Sequence, residues 1–160
     1  MVTKTQFRVG WHAVLLMLVL SAAPAAAGES VVMVDDPWVR EGPPTARVLA
    51  GYMVIRNPGD QTQTIVGAGS PAFHGVEIHR TVTEGGVARM LEQERLQIPA
   101  QGQVAFEPGS YHLMLMGAQH PLRAGDTVEI VLNLESGRQV VVNAPVRKAT
   151  DAGHAHHHHH

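Results

Sequence analysis

No cysteine occurs anywhere in the 160 residues. That absence excludes disulfides, thiolate catalysis, CxxC redox chemistry and cysteine-based structural zinc sites, and with them a blue-copper electron-transfer centre, whose metal needs a thiolate ligand. Positive charge is scarce as well: there are 12 Lys and Arg against 14 Asp and Glu. Two of the 12, Lys4 and Arg8, fall in the first 27 residues, so residues 28 onward carry a net charge of −4 with His neutral. With no basic patch, no nucleic-acid partner is expected. Trp11–Leu20 is almost continuously apolar. Together with the basic Lys4 and Arg8 before it and Ala25-Ala26-Ala27 as a small-residue cleavage site after it, this run reads as a secretory signal peptide over 1–27. It is too short for an ordinary membrane span, so no stable membrane insertion is expected once it is removed. Without a cysteine near the cleavage site, lipoprotein anchoring has no acceptor residue. The mature protein is expected beyond the inner membrane, in a bacterial periplasm.

Helical periodicity is the other thing in short supply. From Ser30 onward the chain reads as short strands separated by Gly, Pro, Asn and Asp. Val31–Val34 opens the first, and Asp36-Pro37 interrupts it before Trp38-Val39-Arg40. Ala46–Ile55 is long enough for a helix, but Gly51 at its centre and its β-branched content favour a strand. Thr62–Val66, a hairpin over Val76–Leu91, Leu96–Pro99, Val104–Phe106, a strand through Tyr111–Met116, Val128–Leu134 and Gln139–Val142 follow. Eight or more short strands with no convincing 3.6-residue period predict an antiparallel β-sandwich or barrel over 28–148. After Lys148 the apolar pattern stops. Residues 149–160 form a His-rich tail with His154 followed by the run His156, His157, His158, His159 and His160. A terminal His run is most often a purification tag. The Gly-His-Ala lead and the presence of a signal peptide, which expression sequences commonly drop, favour a native metal-binding tail.

What the chain does have is a spaced set of soft and intermediate donors. His79, Met90, His112 and Met114 follow the pattern His-x10-Met-x21-His-x-Met. A site that mixes imidazole and thioether without carboxylate or thiolate suits Cu(I) better than Zn(II), Mg(II) or Ca(II). Strand alternation puts His112, Met114 and Met116 on one face and Leu113 and Leu115 on the other. In the hairpin, a four-residue loop over Thr83–Gly86 or a tight Glu84-Gly85 turn sets His79 directly opposite Met90. A Gly85-Gly86 turn makes the two diagonal neighbours on one face instead, and a three-residue loop without a bulge separates them. Methionine on a strand is usually a core filler, and one His-x-Met pair would carry little weight. Four donors gathered by one hairpin register carry more. Glu77 shares a face with His79 and could be drawn as an acid/base pair, although a carboxylate beside His is more often solvated or structural. An enzyme is the least expected outcome. His74, His120, Met33 and Met53 read as packing or surface residues.

This pattern resembles the periplasmic copper chaperone family known as PCu(A)C and matches its motif at every spacing. DPWVREGPPTARVLAGYMVIRN is similar to the family's opening strands, VEIHRTVTEGGVARM to its metal hairpin and IPAQGQVAFEPGSYHLMLMG to its second ligand stretch. The resemblance implies a cupredoxin-like Greek-key β-sandwich binding one Cu(I) at His79, Met90, His112 and Met114. It also implies supply of copper to the CuA centre of cytochrome c oxidase subunit II, together with Sco-type proteins, and a Cu(II)-binding role for the His tail. Arg80 directly after the first ligand departs from many relatives, as do Thr83 and Ala88, where others carry additional Met. Two other functions stay open on these residues. One is copper buffering or resistance at the same site. The other is a secreted β-sandwich interaction module in which the Met residues only pack.

Overall fold

The computed structural model describes residues 32–148. The signal peptide expected over 1–27 and the tail over 149–160, with its Cu(II) candidates His154 and His156 to His160, lie outside the described residues. Those described form ten strands and no helix: β1 (Met33–Arg40), β2 (Val48–Asn57), β3 (Gln63–Gly69), β4 (Phe73–Glu84), β5 (Val87–Glu92), β6 (Leu96–Ile98), β7 (Gly102–Phe106), β8 (Tyr111–Ala118), β9 (Thr127–Leu134) and β10 (Gln139–Arg147). Strand pairing runs β5-β4-β8-β7-β2-β1-β10-β9-β3-β6, with β8 also pairing β2 and β4 also pairing β3. The β3–β4 pairing, at Ala68 and Val76, closes the sheet into a barrel and leaves β5 and β6 as its flanking strands. The order around the barrel is far from the order in sequence, and the architecture is the expected cupredoxin-like Greek-key β-barrel.

Alternation explains which residues turn inward. Ile55, Leu113, Leu115, Ile130, Leu132, Ile65 and Ile98 have no exposed surface and meet in one core. On β8 the core positions Leu113 and Leu115 alternate with His112, Met114 and Met116, so the motif's side chains stand on the outer face of the barrel wall. Burying the apolar set fixes the register, because a slip by one residue would send Leu113 and Leu115 to the outside.

Three details differ from the sequence reading. Asp36-Pro37 does not break the first strand; the register against β2 shifts between Asp35 and Trp38, a bulge in one continuous β1. Asp36 adopts φ 41° there, and Arg147 donates to its carboxylate at 2.8 Å. The barrel is not purely antiparallel, since β1 runs parallel to β10 through Val39–Val146 and Arg40–Arg147. The last strand also continues to Arg147, because that parallel pairing gives its final residues a partner.

Candidate metal centre

The hairpin between β4 and β5 turns on Gly85-Gly86 alone, with Glu84 paired to Val87. Both glycines have positive φ, 58° and 81°. That is the backbone of a two-residue type I′ turn, which matches the twist of the strands and which side chains with a Cβ resist. Of the three registers open to the sequence, this is the diagonal one: His79 pairs with Glu92 and Met90 with Thr81. Met90 and His79 therefore share a face, two positions out of line, at a spacing of roughly 7–8 Å that a long thioether side chain can span.

A second pairing, between β4 and β8, brings the other half of the motif in. His79 lies directly across from His112, Glu77 from Met114 and Gly75 from Met116. On its far side Met114 meets Ala50 of β2. The outer face thus carries successive cross-strand rows: Met90 beside Thr81, then Glu92–His79–His112, then Glu77–Met114–Ala50. The two imidazole rings stand with centroids 6.0 Å apart and planes tilted by 52°. Three strands supply the four predicted residues: β5 gives Met90, β4 gives His79, and β8 gives His112 and Met114.

Exposure is graded across this face. His112 is buried, at 6% exposed, and Met90 is the most open of the four at 61%. The His112 ring donates from Nδ1 to the Ser110 carbonyl at 3.2 Å, and the same carbonyl accepts the Thr81 amide at 3.0 Å, which ties the β7–β8 turn to the hairpin. Nε2 of His79 lies 2.8 Å from Oε2 of Glu77, while its Nδ1 is buried with no hydrogen-bond partner. A buried lone-pair atom left without a donor is costly, and a cation at this face would meet that need. Among the described residues no three or more His, Cys, Asp and Glu gather into a metal site. A metal at this face would have two imidazoles and the neighbouring thioethers within reach, a donor set that fits a soft monovalent ion.

The remaining residues fall into place around this. Met116 lies one row beyond Met114, directly across from Gly75. Arg80 has the opposite parity to His79 and stacks over the Tyr111 ring at 5.2 Å, away from the donors. Thr83 and Ala88 pair near the exposed hairpin tip. His74 and His120 line a separate cleft of about 530 Å³ with Arg47 and Gln119. The sequence reading sets Glu77 beside His79 on one face, and the structure joins the two at 2.8 Å; the direct His79–His112 pairing lies outside that reading. Strand parity placed Glu77 on the right face, but no local signal told which distant strand would lie beside β4.

The family model described as "Putative lipoprotein LpqE-like" matches residues 32–146. The chain is 33% identical over 122 residues to "Putative lipoprotein Lxx21020" of Leifsonia xyli subsp. xyli, covering 76% of this chain and 72% of that one. It is 31% identical over 125 residues to the uncharacterized protein RP573 of Rickettsia prowazekii, covering 74% and 67%. Among solved structures, the Cu(I) form of DR1885 from Deinococcus radiodurans superposes with a TM-score of 0.58 at 36% identity, over 79% of this chain and 84% of that one. The copper-bound PCuAC domain from PmoF2 gives a TM-score of 0.63 over 77% and 96%, and at 22% identity this is a likeness of fold alone. On the family match and the two relatives above 30% identity, the chain belongs to the LpqE-like family of PCu(A)C-type domains.

Proposed function

We propose that this protein is an exported copper chaperone that holds one Cu(I) through His79, Met90, His112 and Met114 and passes it on by ligand exchange. The observation that carries the reading is the direct pairing of His79 with His112, with Met114 and Met90 on the same outer face. Two imidazoles and two thioethers make a neutral, soft donor set, suited to Cu(I) in a compartment where a free thiol would risk oxidation. The solved Cu(I) form of DR1885, a relative of this chain, supports the same cargo.

The grading of exposure suggests the order of events in transfer. Met90, open on the flanking strand β5, is the ligand an incoming acceptor can replace first, and buried His112 is the last to let go. A thiolate of the acceptor attacks copper as the Met90 thioether leaves. Copper remains Cu(I) throughout and no electron is exchanged. We propose the CuA site of cytochrome c oxidase subunit II as recipient, with Sco-type proteins acting on its thiols, and the periplasm as the place. Among the described residues no helix is long and apolar enough to cross a membrane.

Two experiments test this. Cu(I) titration against a competing chelator, under reducing conditions, is expected to give one ion per chain in the wild type. Met90→Leu and Met114→Leu, which roughly conserve volume, are expected to weaken binding sharply without loss of fold. Unchanged affinity in both variants would refute the site. For the recipient, cells lacking the protein are expected to lose oxidase activity mainly when copper is scarce, and added copper should restore it. Normal oxidase activity at low copper, with raised sensitivity to high copper, would instead identify a buffer.

A further inference from the structure

Glu77 occupies the corner of the outer face beside the two imidazoles, directly across from Met114 and two residues before His79 on β4. Its carboxylate is 2.8 Å from Nε2 of His79, and its side chain is 37% exposed against 15% for the histidine. We propose that Glu77 is a positioning residue of the copper site: it holds the His79 ring by Nε2 so that Nδ1 is the nitrogen offered to Cu(I). This inference rests on the copper reading above.

The argument runs through proton inventory. An ionised carboxylate only accepts hydrogen bonds, and a neutral imidazole has one N–H and one lone pair. The nitrogen facing Glu77 must therefore carry the proton, which leaves the lone pair on Nδ1. That atom is the buried one without a partner. His112 is set the other way round. Its Nδ1 faces the Ser110 carbonyl, which also only accepts, so its lone pair is on Nε2. The two rings, opposite one another across β4 and β8, thus present unlike nitrogens.

This arrangement does more than choose a tautomer. A carboxylate behind a ligating imidazole also stops the ring from turning. Among four neutral donors, Glu77 also brings a negative charge close to the bound cation without competing for it, because a hard oxygen is a poor ligand for Cu(I). The opposite arrangement is physically coherent too, and it makes the opposite prediction. If copper took Nε2, the metal would have to displace Glu77, and the carboxylate would be a competitor.

The test uses the full mature chain. Nitrogen-15 NMR of the histidine side chains in the metal-free protein, with the rings neutral, is expected to show His79 protonated at Nε2 and His112 at Nδ1. One equivalent of Cu(I) under reductant should then shift Nδ1 of His79 and Nε2 of His112. Glu77→Ala is expected to weaken Cu(I) binding about 10- to 100-fold against a competing chelator. Glu77→Gln, whose amide oxygen can still accept from Nε2–H, should keep the tautomer and recover part of that loss. Coordination through Nε2 of His79, or Cu(I) binding that is unchanged or tighter in Glu77→Ala, overturns the proposal while leaving the site intact. If no histidine signal moves on adding Cu(I), the site fails and this role fails with it.

Discussion

Replacing Asn57 by alanine separates what holds the barrel from what binds metal. Asn57 ends β2 and is 1% exposed. Its Nδ2 lies 2.7 Å from the Gln61 carbonyl, 3.1 Å from that of Ile98 and 3.1 Å from that of Pro99, and its Oδ1 accepts the Gly59 amide at 3.0 Å. One side chain thus stitches the 58–61 turn to the segment after β6. The bonds to Ile98 and Gly59 are fully buried, whereas those to Gln61 and Pro99 are only partly so and can be replaced by water. Alanine therefore strands two buried polar groups at about 1–3 kcal/mol each, and we expect a loss of about 2–6 kcal/mol. For a domain of this size, at roughly 4 °C per kcal/mol, the melting temperature falls by about 8–24 °C. Urea unfolding followed by the fluorescence of buried Trp38 reads this as a lower midpoint with an unchanged slope. Asn57 is seven residues along β2 from Ala50, the neighbour of Met114, or about 23 Å of strand, so Cu(I) affinity below the new midpoint should match the wild type. A stability loss under about 1 kcal/mol would refute the hydrogen-bond argument, and a matching loss of copper affinity would refute the separation of fold from site.

The tail should behave as a second, harder site: deleting Gly153–His160 is expected to remove Cu(II) binding and spare Cu(I), because clustered imidazoles favour Cu(II). Those histidines must be neutral to bind, so with an ordinary pKa of about 6.5 the Cu(II) signal should fade below about pH 6, and retention of the full Cu(II) complement by the shortened chain would refute the assignment. At the surface, the Arg95 guanidinium beside Glu135, first by its hydrogen bond and then by its charge, holds that carboxyl below its usual range. Its contribution to stability is thus present above the unfolded carboxylate pKa and is lost as pH falls through the lowered folded value. Both side chains are more than half exposed, so the small melting difference between wild type and Glu135→Gln should also vanish in high salt, and one that persists in acid would show another cause.

Strand count and barrel class were legible because they depend on local quantities. Val, Ile and Leu alternate against Gly and Pro turns, and a period of two needs no knowledge of distant contacts. The long run ending at Ile55 reads as a strand despite its length because Gly51 and the β-branched residues weigh against a helix. Register within the hairpin was half legible: the Glu84-Gly85-Gly86 stretch allowed more than one turn, and choosing among them required the positive φ at both glycines. The parallel pairing of β1 with β10 was not legible, since it joins the two ends of the described chain and no neighbouring residues signal it.

The candidate site shows the same division. Parity alone puts His112, Met114 and Met116 on one face, whereas Met90 joins the face of His79 only for the two- and four-residue loops, and the Gly85-Gly86 turn decides between those and a three-residue one. What joins these pairs into one site is the lateral order of strands, which sets β8 beside β4 with His79 against His112. That order is fixed by burial rather than by the donors: Ile78 pairs with Leu113 and Val76 with Leu115 on the inner face, in the same register that aligns the two histidines outside. A one-residue slip would expose Leu113 and Leu115 and separate the imidazoles at once. The barrel core therefore does the aligning. The outer face is left free to carry side chains chosen for their donor chemistry rather than for packing, as His112 and Met114 alternate with the core positions Leu113 and Leu115.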